Sequence, residues 1–227
     1  MGKIDRNSEE SSKSLHGKVF EQLENDILSG KYKSGDCLNE IKLTEEMGVS
    51  RTPIREAFRQ LELEGLIAYT PNRGVVVRGL SVEDIRDIYQ IRLMIEGMTA
   101  RRAAENITDE QISELGQIIE LEEFYTNKAD ALQISKLDTQ FHEMIYRASG
   151  SRLLTKTLKE FHHYIKNTRN ISLSNIERAK KTYAEHKVIF EAIRDRDREL
   201  SEILMEQHVR NATVFIEKNN RFQVNET

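Results

Sequence analysis

Residues 47–61 read MGVSRTPIREAFRQL, and this stretch decides the fold of the first part of the chain. Gly48 permits the left-handed backbone that ends a helix, and Ser50 is a residue type that begins the next one. Pro53 then lies in the first helical turn, where a missing N–H costs little. The pattern predicts two helices joined by a turn at residues 48–50.

The segments on both sides complete this motif. Upstream, residues 14–30 carry apolar side chains at every fourth position, and residues 40–47 form a short second helix. Downstream, two β-like runs at 66–70 and 75–78 flank a turn at residues 71–74. Three short helices followed by a β-hairpin are typical of a winged helix-turn-helix.

The third helix carries Arg51, Arg55 and Arg59 on one face, because side chains four residues apart differ by only about 40° around a helix. An arginine near a helix start can enter the DNA major groove and donate two hydrogen bonds to guanine. A solvated charged face is the alternative, but the turn and the wing favour DNA. The other candidate DNA contacts are Ser50, Thr52, Arg73 and Gly74.

Composition limits the class of protein. The chain has 227 residues, a net charge of −4 and a single cysteine, so an internal disulfide framework is excluded. We find no apolar run of membrane-spanning length and no secretory signal in the polar start of the chain, and we expect a cytoplasmic protein. Both prolines lie at or before Pro71, which favours an all-helical second part.

The predicted fold is mainly α. It comprises a polar arm (1–13), a winged helix-turn-helix (14–79), an all-α six-helix bundle (80–220) and a tail (221–227). The six predicted bundle helices are 82–106, 108–127, 129–149, 151–172, 175–194 and 196–219.

Ionisable residues fall on the apolar faces of three bundle helices. Asp138 and His142 are one turn apart beside such a face, and His186 and His208 lie inside the apolar stripes of two other helices. Imidazole and carboxylate together suit a divalent metal, Zn²⁺ first and Ni²⁺, Mn²⁺ or Fe²⁺ as alternatives. A lone inward histidine is more often a core residue, whereas four such groups in one bundle raise the case for a metal.

Arg92 lies in the centre of the apolar arc of the first bundle helix. An unpaired buried charge is costly, so this guanidinium needs a partner. That partner is either a carboxylate of the bundle or the carboxylate of a ligand, which arginine binds with two parallel hydrogen bonds. Arg169 is a second candidate for effector binding. The adjacent His162 and His163 cannot share a helix face, and we assign them to the surface or the surroundings of the site.

Three stretches of the first part resemble the signature of the GntR family of bacterial transcription regulators: LSGKYKSGDCL (28–38), MGVSRTPIREA (47–57) and LELEGL (61–66). The resemblance implies that Arg51 and Arg55 contact bases and that Ser50 and Thr52 touch the DNA backbone. It also places Gly74 at the wing tip.

The second part resembles, more loosely and over residues 82–216, the FCD effector-binding domain of the FadR subfamily. Six helices and a short linker are most similar to the VanR-like group. This resemblance implies that Arg92 helps to hold an organic acid near a metal ion. The metal ligands that it implies are Asp138, His142, His186 and His208.

Together these resemblances imply a homodimer that binds an inverted-repeat operator in double-stranded DNA and responds to a small carboxylate or sugar acid. Neither a membrane partner nor an enzymatic activity is expected. Two alternatives remain open: a regulator that senses metal alone, and a metalloenzyme with an appended DNA-binding domain. The sequence lacks an H-E-x-x-H motif, a glycine-rich phosphate loop and a nucleophile elbow, which disfavours the enzyme.

Overall fold

The computed structural model describes residues 15–218. Within them the chain divides into two compact units, with the division between Ser81 and Val82. The predicted arm (1–13) and tail (221–227) lie outside the described residues. No helix in the described range is long and apolar enough to cross a membrane.

The first unit is a winged helix-turn-helix, as predicted. The Asn39 side chain accepts a hydrogen bond from the backbone N of Lys42 at 3.0 Å and so caps the second helix. Gly48 ends that helix with φ of 65°, a conformation that glycine adopts without strain. The elements are α1 (Leu15–Leu28), β1 (Cys37–Leu38), α2 (Glu40–Met47), α3 (Arg51–Leu63), β2 (Ile67–Thr70) and β3 (Gly74–Val77).

The sheet of this unit has three antiparallel strands in the order β1-β3-β2. The predicted hairpin is β2 and β3, whose register pairs Thr70 with Gly74 across the turn. Asn72 and Gly74 supply the positive φ angles, 63° and 77°, that reverse the chain. Strand β1 was not predicted, because its two residues are too few to produce an alternating pattern.

The core of the first unit joins its helices to its sheet. Helices α1 and α3 pack face to face through Leu23, Ile27, Phe58 and Leu61, all of which are buried. This packing uses the apolar face of α3, so the opposite face, which carries the arginines, is left to solvent.

The second unit is all-helical. Thr108 starts its second helix with a capping box, in which Thr108 and Gln111 each accept a hydrogen bond from the other's backbone N. The helices are α4 (Val82–Asn106), α5 (Asp109–Asn127), α6 (Ala131–Ala148), α7 (Arg152–Tyr164), α8 (Lys166–Leu173), α9 (Ile176–Arg194) and α10 (Arg198–Lys218).

The described part of the bundle therefore has seven helices, and the predicted count of six is wrong. The predicted helix 151–172 is interrupted at Ile165, which belongs to neither α7 nor α8. His162 of α7 and Arg169 of α8 lie on either side of this interruption, with Nδ1 of His162 2.5 Å from Nη1 of Arg169.

Helix α4 is the centre of the bundle and packs against α6, α7, α9 and α10. Its approach to α10 is close at Gly97, where an added Cβ would lie 2.6 Å from Cγ of Glu206. Polar side chains of α4 contact those of α6, α7 and α10.

Candidate functional site

The first candidate site is the exposed face of α3. The side chains of Arg51, Arg55 and Arg59 are 60%, 59% and 71% exposed. Glu40 of α2 lies 2.9 Å from Nε of Arg55 and 3.7 Å from Nε of Arg51, so one carboxylate faces both side chains. Arg59 instead pairs with Glu56 at 2.9 Å.

The start of α3 has the geometry of an anion site. Ser50 occupies the N-cap position with an extended backbone, and its side chain makes no capping hydrogen bond. Thr52 follows in the first helical turn and is exposed. Free backbone N–H groups at a helix start attract phosphate, and the three arginines lie on the same helix.

At the wing, Arg73 lies in the turn between β2 and β3, directly before Gly74. Its Nη2 donates to the carbonyl oxygen of Gly35 at 3.1 Å and lies 4.0 Å from Sγ of Cys37. The Arg73 side chain is thus directed toward the β1 edge of the wing in this structure.

The second candidate site lies inside the bundle, where three histidines from three helices converge. His142 of α6, His186 of α9 and His208 of α10 each offer a ring nitrogen, and these atoms lie within 4.8 Å of one another. All three side chains are buried. The apolar faces of the three helices carry these residues inward, as their positions in the sequence suggested.

Asp138 lies beside this cluster, one turn before His142 on α6. Its Oδ1 is 3.9 Å from Nε2 of His186, whereas its Oδ2 is only 2.8 Å from Nη1 of Arg169. The structure brings all four predicted ligands to one place, with Asp138 also in an ion pair.

Each of the three histidines has a carboxylate close to its Nδ1 atom. Nδ1 of His186 lies 2.9 Å from Glu122, and Nδ1 of His208 lies 2.8 Å from Glu185. Nδ1 of His142 is 3.1 Å from Glu96. Carboxylates in these positions fix the ring orientation of metal-ligating histidines and raise their basicity.

These three carboxylates were not identified from the sequence. Glu122 follows Leu115 and Ile119 on the buried face of α5, so its position on an apolar stripe was a usable signal. Glu96 lies four residues after Arg92, the spacing of a helical ion pair. Glu185 directly precedes His186 and so lies on a different helical face, from which it contacts His208.

Burial and neighbouring charges together set the pKa values of the cluster. Burial lowers the pKa of His208 to about 3 and also lowers the pKa of His142, although a carboxylate opposes the effect in each case. Burial alone would lower the pKa of His186, but Glu122 and Asp138 outweigh it and raise that pKa. Burial would raise the pKa of Asp138, yet Arg169 and the histidines lower it to about 2.

These groups fit a divalent metal ion. Nε2 of His186 is buried and has no hydrogen-bond partner among the described residues, which is costly unless an ion or water meets it. Neutral imidazoles and an ionised carboxylate are the forms that bind metal, and the lowered pKa values of His142, His208 and Asp138 favour those forms. Three nitrogen donors with one oxygen donor suit zinc and its neighbours in the first transition row.

Two buried arginines, Arg92 and Arg169, lie beside the cluster. Nε of Arg92 lies 2.5 Å from Glu96, so Arg92 takes the internal ion pair that was one of its two predicted partners. Arg169 bonds Thr139 at 2.7 Å in addition to Asp138.

His162 is buried and does not belong to the surface, which corrects that part of its assignment. Its ring lies between two guanidinium groups, with Nη2 of Arg92 at 3.3 Å and Nη1 of Arg169 at 2.5 Å. Burial and these positive neighbours hold the pKa of His162 well below its usual range, so the ring is neutral. His163, by contrast, is partly exposed.

The space left inside this site is small. A cavity of about 20 Å³ remains, roughly the room that one water molecule needs. Its lining includes Arg92, Asp138, His142, Arg169 and His208.

Comparison with known proteins agrees with this architecture. Residues 15–77 match the family described as bacterial regulatory proteins, gntR family, and residues 87–211 match the FCD domain. The chain belongs to the GntR family of transcription regulators. An FCD domain after the GntR domain fits the FadR-like subfamily. The predicted count of six helices had favoured the VanR-like group, and the seven helices of the bundle no longer do so.

Relatives of this GntR-family chain extend over most of its length. It is 31% identical to the HTH-type transcriptional regulator YdhC of Bacillus subtilis over 191 residues, 84% of each chain. It is 33% identical to the gluconate operon transcriptional repressor of Bacillus licheniformis over 181 residues, 77% of this chain and 73% of that one. The solved structure of E. coli McbR/YncC shares the fold, with a TM-score of 0.73 at 23% identity over 92% of this chain and 100% of that one.

Proposed function

We propose that this GntR-family regulator binds an inverted-repeat operator as a homodimer and that a small carboxylate or sugar acid in a metal-containing pocket modulates its DNA binding. A two-fold protein places one recognition helix in each half-site, which accounts for an inverted repeat. Action on chromosomal DNA implies a cytoplasmic location.

For the DNA contacts we propose α3 and the wing. Arg51 and Arg55 face solvent and could each reach guanine in the major groove. Glu40 would hold both side chains in place until DNA replaces it. The remaining proposed contacts to backbone or minor groove are Ser50, Thr52, Arg59, Arg73 and Gly74.

For the metal we propose Asp138, His142, His186 and His208 as ligands, with Zn²⁺ as the first candidate and Ni²⁺, Mn²⁺ or Fe²⁺ as alternatives. The observation that carries this proposal is the convergence of three buried histidines whose other ring nitrogens each lie near a carboxylate. A bound ion supplies positive charge and open coordination positions for an oxygen-bearing ligand.

For the effector we propose Arg92 and Arg169 as the carboxylate-binding groups, because both line the cavity beside the histidines. Arg169 now pairs with Asp138, and Asp138 is also a proposed metal ligand. Coordination by Asp138 would weaken its hold on Arg169 and leave that guanidinium to a ligand carboxylate. The similarity to a gluconate operon repressor makes gluconate the first acid to test.

DNA binding is tested by selecting genomic fragments with the purified protein and sequencing them. Recovery of an inverted repeat supports the proposal, and the neighbouring genes nominate the effector acid. Failure of folded protein to enrich any fragment, with and without gluconate, would count against operator recognition by α3.

The metal is tested by elemental analysis of protein purified without chelator and without an affinity-tag metal. We expect about one divalent ion per chain in the wild type and a loss in His142→Ala. Protein that carries no metal and takes up none on addition of Zn²⁺, Ni²⁺, Mn²⁺ or Fe²⁺ would remove the metal from the proposal.

The small cavity favours one other candidate, a regulator that senses metal alone. About 20 Å³ cannot admit gluconate without rearrangement, and the arginines already have carboxylate partners. Operator affinity that follows metal content and ignores every organic acid would favour this candidate. Turnover of an acid by the wild type, lost in His208→Ala, would favour an enzyme over both.

A further inference from the structure

A second, larger cavity lies between α9 and α10, outside the histidine cluster. Its volume is about 480 Å³, and it opens on the surface. Four basic side chains line it, Arg178 and Lys181 from α9 and Arg210 and Lys218 from α10, with Glu185 as its one acidic group.

Positive charge in this cavity exceeds what its own carboxylate can neutralise. Glu185 forms an ion pair with Arg178, whose two Nη atoms lie 3.0 to 3.2 Å from the carboxylate oxygens. Lys181, Arg210 and Lys218 are exposed, and none forms an ion pair with a carboxylate of the described residues. Three neighbouring positive charges thus remain around one cavity in a chain whose net charge is −4.

We propose that this cavity is a second ligand site, for a compact anion with two or more negative charges, such as a phosphoryl group or a dicarboxylate. Three flexible cations around a concave space match such an anion, because each can donate charge-assisted hydrogen bonds to it. Val214 and Phe215 form an apolar part of the lining, which can accept the carbon skeleton of a phosphorylated or dicarboxylic compound.

Arg178 connects this site to the histidine cluster. It lines both cavities, and the Glu185 that it holds also accepts a hydrogen bond from Nδ1 of His208 at 2.8 Å and one from Asn211 at 2.9 Å. An anion that attracts Arg178 would compete with Glu185. Anion binding in the cavity between α9 and α10 would therefore alter the contacts of His208, one of the proposed metal ligands.

The site is tested by isothermal titration calorimetry on the full chain, after treatment with a chelator so that bound metal cannot supply the affinity. Inorganic phosphate and malonate are titrated separately at constant ionic strength, which distinguishes the two kinds of anion. The pocket variant is Lys181→Ala/Arg210→Ala. The matched control is Lys136→Ala/Lys187→Ala, which removes two exposed lysines that do not line the cavity.

We expect at least one of the two anions to bind the wild type and the control alike, and about tenfold or more weaker binding in the pocket variant, which corresponds to about 1.4 kcal/mol. Absence of binding by both anions, or an equal loss in the control, overturns the second site without touching the metal proposal. An anion affinity lost in His142→Ala but kept in the pocket variant also overturns it.

Discussion

At the scale of single residues, the proposed DNA-binding face of α3 consists of exposed arginines in weak ion pairs. Arg55 is held by Glu40 in an exposed pair, and exposed pairs contribute little stability, so DNA can replace the carboxylate at small cost. The arginine is oriented in advance, yet its guanidinium remains available to a base.

We expect Arg55→Ala to lose about 1–3 kcal/mol of specific operator binding per protomer, because a bidentate contact to guanine is removed. Binding to unrelated DNA should change much less, since that depends on phosphate contacts. Quantitative gel-shift titration of operator and scrambled duplexes at one salt concentration measures both. Equal losses of affinity for the two duplexes would indicate that Arg55 contacts phosphate. An unchanged operator affinity would indicate that Arg55 does not contact the operator.

Inside the bundle, the residue that best tests the metal proposal is not itself a ligand. Glu122 is fully buried and its oxygens lie 2.9 and 3.0 Å from Nδ1 of His186. Glu122→Gln keeps the shape but removes the charge, and loss of such a partner typically lowers metal affinity about 10- to 100-fold. Competition with a chromophoric chelator for Zn²⁺ measures the change.

The matched control for this prediction is Glu120→Gln, which removes an exposed carboxylate two residues away on α5. We expect it to bind Zn²⁺ as the wild type does. Equal affinities for all three proteins, with melting curves showing that each is folded, would contradict a supporting role for Glu122.

The sequence predicted the inward residues but not their partners. Asp138, His142, His186 and His208 could be identified because a helix repeats every 3.6 residues, so a polar residue on an apolar stripe is visible. Glu122 meets His186 across 64 positions of sequence, and periodicity within one helix says nothing about such a pair. Of the two places predicted for His162, the surface is wrong and the surroundings of the site are right, because contacts with Arg92 and Arg169 on other helices bury it.

At the scale of secondary-structure elements, local chemistry explains which boundaries were predictable. Asn39, Gly48 and Thr108 are caps whose side chains or backbone are specific to helix ends, and the structure has helix ends at all three. The interruption at Ile165 has no glycine or proline. Arg169, just after it, contacts Asp138 of α6 and His162 of α7, and no local pattern reveals such contacts.

The close approach of α4 and α10 gives a prediction about Gly97. Alanine in place of glycine usually stabilises a helix by about 1 kcal/mol. Here the new Cβ would lie 2.6 Å from Glu206 Cγ and 3.2 Å from the backbone oxygen of Glu202. We expect Gly97→Ala to lower the free energy of unfolding by about 1–3 kcal/mol through overpacking, as measured by urea denaturation.

Gly116→Ala in α5 is the control, because its Cβ would approach only the end of the Phe190 ring, at 3.3 Å. A ring edge can move by a few tenths of an ångström, so we expect this variant to gain up to about 1 kcal/mol of stability from helix propensity. A gain in stability for Gly97→Ala would mean that α4 and α10 separate easily.

At the scale of the whole molecule, one chain joins a GntR-family DNA-binding unit to an FCD domain, for which we propose ligand binding. A ligand can change operator affinity only if it binds one state of the molecule better than another. We expect gluconate to weaken operator binding by metal-loaded protein about tenfold, a coupling free energy of about 1.4 kcal/mol. Fluorescence anisotropy of a labelled operator, with and without gluconate, measures this factor.

Linkage requires the reverse effect to be equal. If gluconate lowers operator affinity tenfold, a saturating operator must lower gluconate affinity about tenfold, because both belong to one thermodynamic cycle. Calorimetric titration of gluconate into free and operator-bound protein measures the second side of the cycle. In His142→Ala, gluconate should no longer change the operator affinity and the operator should no longer change the gluconate affinity, because the proposed pocket has lost a ligand of its metal. Coupling that persists in this variant would place the effector elsewhere, and the basic cavity between α9 and α10 would then be the site to test for gluconate itself.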